Sequence, residues 1–112
     1  MDLFNDLQNL TNRLNQSIKL LAQYGKELAQ AEMKYKILLR QNALKLRAEK
    51  EMPVTLIQQV VYGIPEVAHK RYERDVAEAM YQTAQENINS LKLQMRIIES
   101  QLQREWGNTR WS

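Results

Sequence analysis

Histidine, paired carboxylates and clustered cations are the residues of this chain that could do chemistry, and the first two are sparse. The single histidine, His69, stands in Val67-Ala68-His69-Lys70-Arg71, and Glu66-Val67-Ala68-His69 is the one Glu-x-x-His match. A di-metal site in a helical bundle needs two such pairs on facing helices, so no metal site is expected. Glu73 with Asp75, and Glu27 with Glu32, are carboxylates close in sequence. Helical spacing places neither pair on facing walls of a cleft, where general acid–base catalysis needs them. The sequence has no Cys and no Gly-rich phosphate loop, which removes thiol chemistry, disulfides and Cys-based zinc sites. The expectation is a non-enzymatic protein with no catalytic residues, metal or cofactor.

The cations are more numerous. Lys34, Lys36, Arg40, Lys45, Arg47 and Lys50 crowd one stretch, and Lys70, Arg71 and Arg74 another. If the intervening segment is a corner, both groups meet at one tip, diluted by Glu49, Glu51, Glu66, Glu73 and Asp75. Such a tip suits a phosphate backbone or an acidic protein surface. The candidate binding set is Lys34, Lys36, Arg40, Lys45, Arg47, Lys70, Arg71 and Arg74. A plainer alternative is a solvated helix surface with i,i+4 pairs such as Glu66 with Lys70. The net charge of +3 is small, and only Tyr35 and Tyr72 are interleaved with these cations, which is not the pattern of a single-strand stacking platform.

The elements that must position these groups are helices. With 44% hydrophobic and 26% charged residues but only three Gly and two Pro, the chain is too apolar for disorder and favours long helices. Leu3, Leu7, Leu10, Leu14, Ser17, Leu21, Tyr24, Leu28, Ala31, Tyr35, Leu38 and Asn42 alternate in steps of four and three. This period of 3.5 is that of a coiled-coil stripe. Ile18, Ala22, Ala29, Ile37, Leu39, Ala43 and Leu46 widen the stripe beyond what two strands need, which points to three or four packed helices. After Leu38 the stripe slips to Leu39, Ala43 and Leu46, as when a packing partner changes. The first helix is placed at 3–50.

Residues 51–65 form the connector, with Pro53 in the first turn of a short helix and Gly63 as its stop. Leu56, Ile57, Val60 and Val61 are then expected to be buried. The apolar run Val54, Leu56, Ile57, Val60, Val61, Tyr62 and Ile64 reads as a bundle cap in preference to a partner-binding patch. Pro65 opens the last helix, placed at 66–106, with the stripe Ala77, Tyr81, Ala84, Ile88, Leu91, Met95, Ile98 and Leu102, Trp106 close to the next position, and Gly107 as the stop. The tail 108–112 is expected to fray, with Trp106 and Trp111 as tethers. Tyr24, Tyr35, Tyr72 and Tyr81 fall on or near the stripes and are expected in the core.

Together these elements predict an all-α fold: a long antiparallel helical hairpin with a short helical connector, one domain over 1–107. Two helices cannot cover both wide faces, so the hairpin is expected to form a homodimer, a four-helix bundle or coiled coil. Leu7, Leu10, Leu14, Leu21, Leu28, Leu38, Ile88, Leu91, Met95, Ile98 and Leu102 are the core and interface set. The N-terminus lacks the basic and apolar regions of a secretory signal, and no apolar run approaches membrane-spanning length. A cytoplasmic location without membrane association is expected.

The runs Leu46-Arg47-Ala48-Glu49, Met52-Pro53-Val54-Thr55-Leu56-Ile57, Arg71-Tyr72-Glu73-Arg74-Asp75-Val76-Ala77-Glu78-Ala79, Leu91-Lys92-Leu93-Gln94-Met95-Arg96-Ile97 and Glu105-Trp106-Gly107 resemble small helical accessory proteins of temperate phages and prophages of Gram-positive bacteria. The resemblance covers residues 35–107 and carries no residue-level activity. It implies an accessory role such as a replication or recombination factor or an inhibitor of host defence. The leading expectation is a phage-type interaction protein that binds and modulates a host or phage protein. A nucleic-acid-binding factor using the basic tip is the alternative, and sequestration of an anionic small ligand such as a nucleotide the third.

Overall fold

A computed structural model of the chain describes residues 2–111, with the side chains of residues 2–107. The architecture is all helical: α1 Leu3–Lys50, a short α2 Val54–Val60 followed by a 3₁₀ turn Val61–Gly63, and α3 Pro65–Trp111. Among the described residues there is no strand.

Local chemistry accounts for the ends. The Asp2 carboxylate accepts hydrogen bonds from the backbone N–H of Phe4 (3.0 Å) and Asn5 (3.3 Å), satisfying two donors that a helix start leaves orphaned. At the other end of α1, Glu51 takes a left-handed backbone with φ 48°, which breaks the helical ladder. Met52 N–H then reaches back to the Leu46 carbonyl at 3.5 Å, and Arg47 Nη1 donates to the Met52 carbonyl at 3.1 Å. A side chain at such a φ is strained, and glycine is not. Glu51→Gly should therefore stabilise the protein by about 1 kcal/mol, read as a higher midpoint in urea unfolding; a lower midpoint would mean that the Glu51 side chain contributes something the strain argument omits.

Pro53 precedes α2 with φ −60° and ψ 147°, and Pro65 occupies the first position of α3, where a missing N–H costs nothing. Helix α3 does not stop at Gly107 but runs to Trp111. A single glycine costs only about 1 kcal/mol inside a helix. The side chains of the tail 108–112, Trp111 among them, lie outside the described residues.

The chain divides into two compact units, Met1–Gln23 with Gln82–Ser112, and Tyr24–Tyr81. In the first, Leu10, Ala84, Ile88 and Leu91 are buried. The helices run antiparallel there: Asn87 Nδ2 donates to Ser17 Oγ at 3.2 Å, while Leu10, earlier in α1, shares a hollow with Gln94 and Ile98, later in α3. In the second unit Tyr35, Ile57, Val61 and Val67 are buried. There a Cβ on Gly25 would stand 3.3 Å from the Tyr81 ring, so the absent side chain lets α3 approach. Farther along, Arg74 lies over the Tyr35 ring at 4.8 Å, and Leu38 shares a hollow with Pro65 and His69.

All twelve positions of the four-three series in α1 are buried or half-buried, and so are the eight of α3 from Ala77 to Leu102. The two polar breaks are satisfied: Ser17 by Asn87, and Asn42 by donating to the Leu38 carbonyl at 2.9 Å. Tyr35 is buried and Tyr24 and Tyr81 half-buried, but Tyr72 is exposed, because it lies opposite the stripe. Trp106 is exposed too. After Leu102 the series continues at Glu105, leaving Trp106 one position off the covered face.

Candidate interaction surface

The covered stripe is narrow. Leu7, Leu14, Leu21, Leu28, Leu38, Met95, Ile98 and Leu102 are only half-buried, while Leu10, Ile88 and Leu91 are buried. Beside them Ile18, Leu20, Val76 and Met80 stand exposed, and Ile37, Leu93 and Ile97 are exposed farther round the helices.

At the corner, Leu39 and Ala43 turn from α3 toward the connector, which is the slip seen in the stripe. With Ile37 they line a hollow of ≈ 520 Å³ closed on the other side by Ile57, Val61 and Tyr62. The connector is thus only partly a cap. Ile57 and Val61 are buried, but Val54, Leu56, Val60 and Tyr62 are exposed. A seven-residue helix has one inward face, and Leu56 and Val60, four apart, share the outward one.

Lys36 and Arg40, one turn apart on α1, line the same hollow. Neither has a carboxylate partner among the described residues. Arg71 adds a third charge, its guanidinium 5.6 Å from the centre of the Tyr62 ring. Lys34 and Lys45 are exposed. The other cations predicted at the tip are engaged: Arg47 with the Met52 carbonyl, Arg74 with Asp75 at 2.8 Å, and Lys70 with Glu73 at 3.2 Å. Lys70 pairs with Glu73, where the sequence suggested Glu66. Glu73 also accepts from His69 Nε2 at 2.9 Å, so the histidine sits in a surface ion cluster. Helical spacing alone does not decide this, since Glu66 and Glu73 each stand three or four residues from both Lys70 and His69. Comparison with protein-family models, with curated proteins and with solved structures gave no match.

The hydrogen bond from Lys70, followed by the charges of Lys70, His69 and Lys34, holds the Glu73 carboxyl below its ordinary range. A carboxylate depressed in the folded state stabilises above its unfolded pKa and loses that contribution as pH falls through the folded one. Glu73→Gln should therefore lower the melting temperature slightly at neutral pH, and the deficit should close in acid, below the usual carboxylate pKa. A deficit independent of pH in thermal melts would contradict the ion cluster.

Among the described residues no group of acidic, histidine or cysteine side chains is placed to hold a metal ion, and no helix is long and apolar enough to cross a membrane. What the surface offers is apolar area edged by positive charge. Ile37, Gln58 and Tyr62 of the hollow were absent from the predicted binding set, although Tyr62 stood in the apolar connector run that signalled it.

Proposed function

We propose that this is a phage-type, non-enzymatic interaction protein that acts in the host cytoplasm as a homodimer, binding a host or phage protein and changing its activity by occupancy. The observation that carries this reading is the apolar surface left open beside a fully used stripe, together with the cation-edged hollow at the corner. Exposed apolar area of that extent marks surfaces that meet other proteins. Affinity capture on the immobilised protein from a lysate of its source organism, followed by titration with the purified partner, tests it. The expected result is one saturable protein partner. Failure of every captured protein to bind in purified form would end the proposal.

A second reading, nucleic-acid binding, is favoured by the six cations set against Glu49 alone between residues 34 and 50. Its signature would be oligonucleotide binding that weakens steeply with salt. Retention of labelled single- or double-stranded DNA at low salt, lost on charge reversal at Lys36, Arg40 and Lys45, would favour it over the first.

A further inference from the structure

The hollow between α1 and the connector is open and largely apolar-walled, and the chain carries a side chain of a kind that fits it. Trp106 is 72% exposed, the most exposed large apolar side chain described. It stands on α3 with its indole presented to water. Tryptophans are typical anchors of protein interfaces, where they enter a dry, apolar recess. The recess of ≈ 520 Å³ with Ile37, Ala43, Ile57 and the Tyr62 ring in its walls has the size of pockets that enclose a ligand of several rings.

Charge agrees with shape. Glu99 stands two turns before Trp106 on the same face of α3, since a separation of seven residues returns a helix to nearly the same side. Lys36 and Arg40 edge the recess at the i,i+4 spacing that aligns them along α1. An indole in the recess would bring its accompanying carboxylate to these cations, and a guanidinium beside an indole face adds attraction of its own. Lys36 and Arg40, with Arg71 beside the Tyr62 ring, argue against the recess of one copy meeting that of another, because like charges would face each other.

We propose that the corner recess of one copy receives Trp106 of a second copy, with Lys36 and Arg40 meeting Glu99. Under two-fold symmetry the contact is made twice, each copy giving its tryptophan and its recess. This rests on the dimer reading above and gives it a register: the α3 end of one chain lies on the corner of the other.

The test uses the full chain carrying Trp111→Phe, so that Trp106 is the sole tryptophan, and reads both mass by sedimentation equilibrium and indole emission. The expected result is a dimer with blue-shifted emission that moves to the red on dilution. Lys36→Glu with Arg40→Glu should weaken the dimer about tenfold, and adding Glu99→Lys should restore most of the loss. Trp106→Ala should weaken it roughly 30-fold or more without loss of helicity. A dimer whose emission stays that of a water-exposed indole, or whose mass is indifferent to Trp106→Ala, overturns the contact while leaving the dimer reading standing. A monomer at every concentration removes both. Binding of dodecanoate or of an acidic peptide from another protein in the recess, with Trp106 remaining exposed, assigns it to that occupant and also overturns the proposal.

Discussion

Leu91→Ala is expected to destabilise the protein by about 2–5 kcal/mol, the range for emptying a fully buried leucine position. Leu91 is 1% exposed, and among the described residues only it and Val67 are fully buried large side chains. Domains of this size are held by about 5–15 kcal/mol in total, so one methyl-bearing branch carries a large share. Its neighbours Leu10, Ala84 and Ile88 in the same unit are also buried, and a helix pair has little depth with which to close the cavity. Leu91→Asp goes further, because a carboxylate at this enclosed position must either draw in water or open the helices. Far-UV circular dichroism and urea unfolding read both variants. The second should lose most of its helicity at ambient temperature. Retention of wild-type helicity and midpoint by Leu91→Asp would mean that the two stripes do not cover each other.

Val76→Glu combined with Met80→Glu is expected to act in the opposite manner, weakening association roughly 100-fold while leaving the helix pair folded. Both side chains are exposed in the single chain, on successive turns of α3 beside the covered stripe. Burial of a side chain of either kind in an interface is worth about 1.5–3 kcal/mol, and two introduced carboxylates would face apolar surface in the partner. Loss of dimer mass at unchanged ellipticity is the expected pair of readings. A loss of helicity in parallel would place Val76 and Met80 in the intrachain core instead.

The contrast between these positions explains what the sequence could disclose. The four-three series from Leu3 to Asn42 marks the covered face correctly at all twelve positions, because helical period and burial are coupled by geometry alone. The slip to Leu39 and Ala43 likewise marked the corner, since those residues line a hollow with Ile57, Val61 and Tyr62 of the connector. Breaker residues at Pro53 and Pro65 announced α2 and the start of α3 through their fixed φ.

Other features are invisible to local rules. Which side of α2 points inward depends on how α1 and α3 approach the corner, and so Leu56 and Val60 were expected inside but lie outside. Lys70 chose Glu73 over Glu66 by rotamer and neighbourhood, because His69 also converges on that carboxylate. Trp106 is large and apolar but falls one position beyond the stripe, and size alone does not bury a side chain. Gly107 has the residue type of a helix stop, yet α3 continues through it to Trp111. The candidate surface was legible as composition, in the cations of residues 34–50 and the apolar connector. Its shape was not, because the recess exists only once three separate segments are brought together.

On the dimer proposal, the apolar surface left beside the covered stripe is closed by another copy of the chain. Sedimentation equilibrium of the unmodified protein from low to high micromolar concentration measures this most directly. The expected result is a mass of twice 13.3 kDa with full helicity. A helical species that remains at 13.3 kDa throughout that range would contradict it.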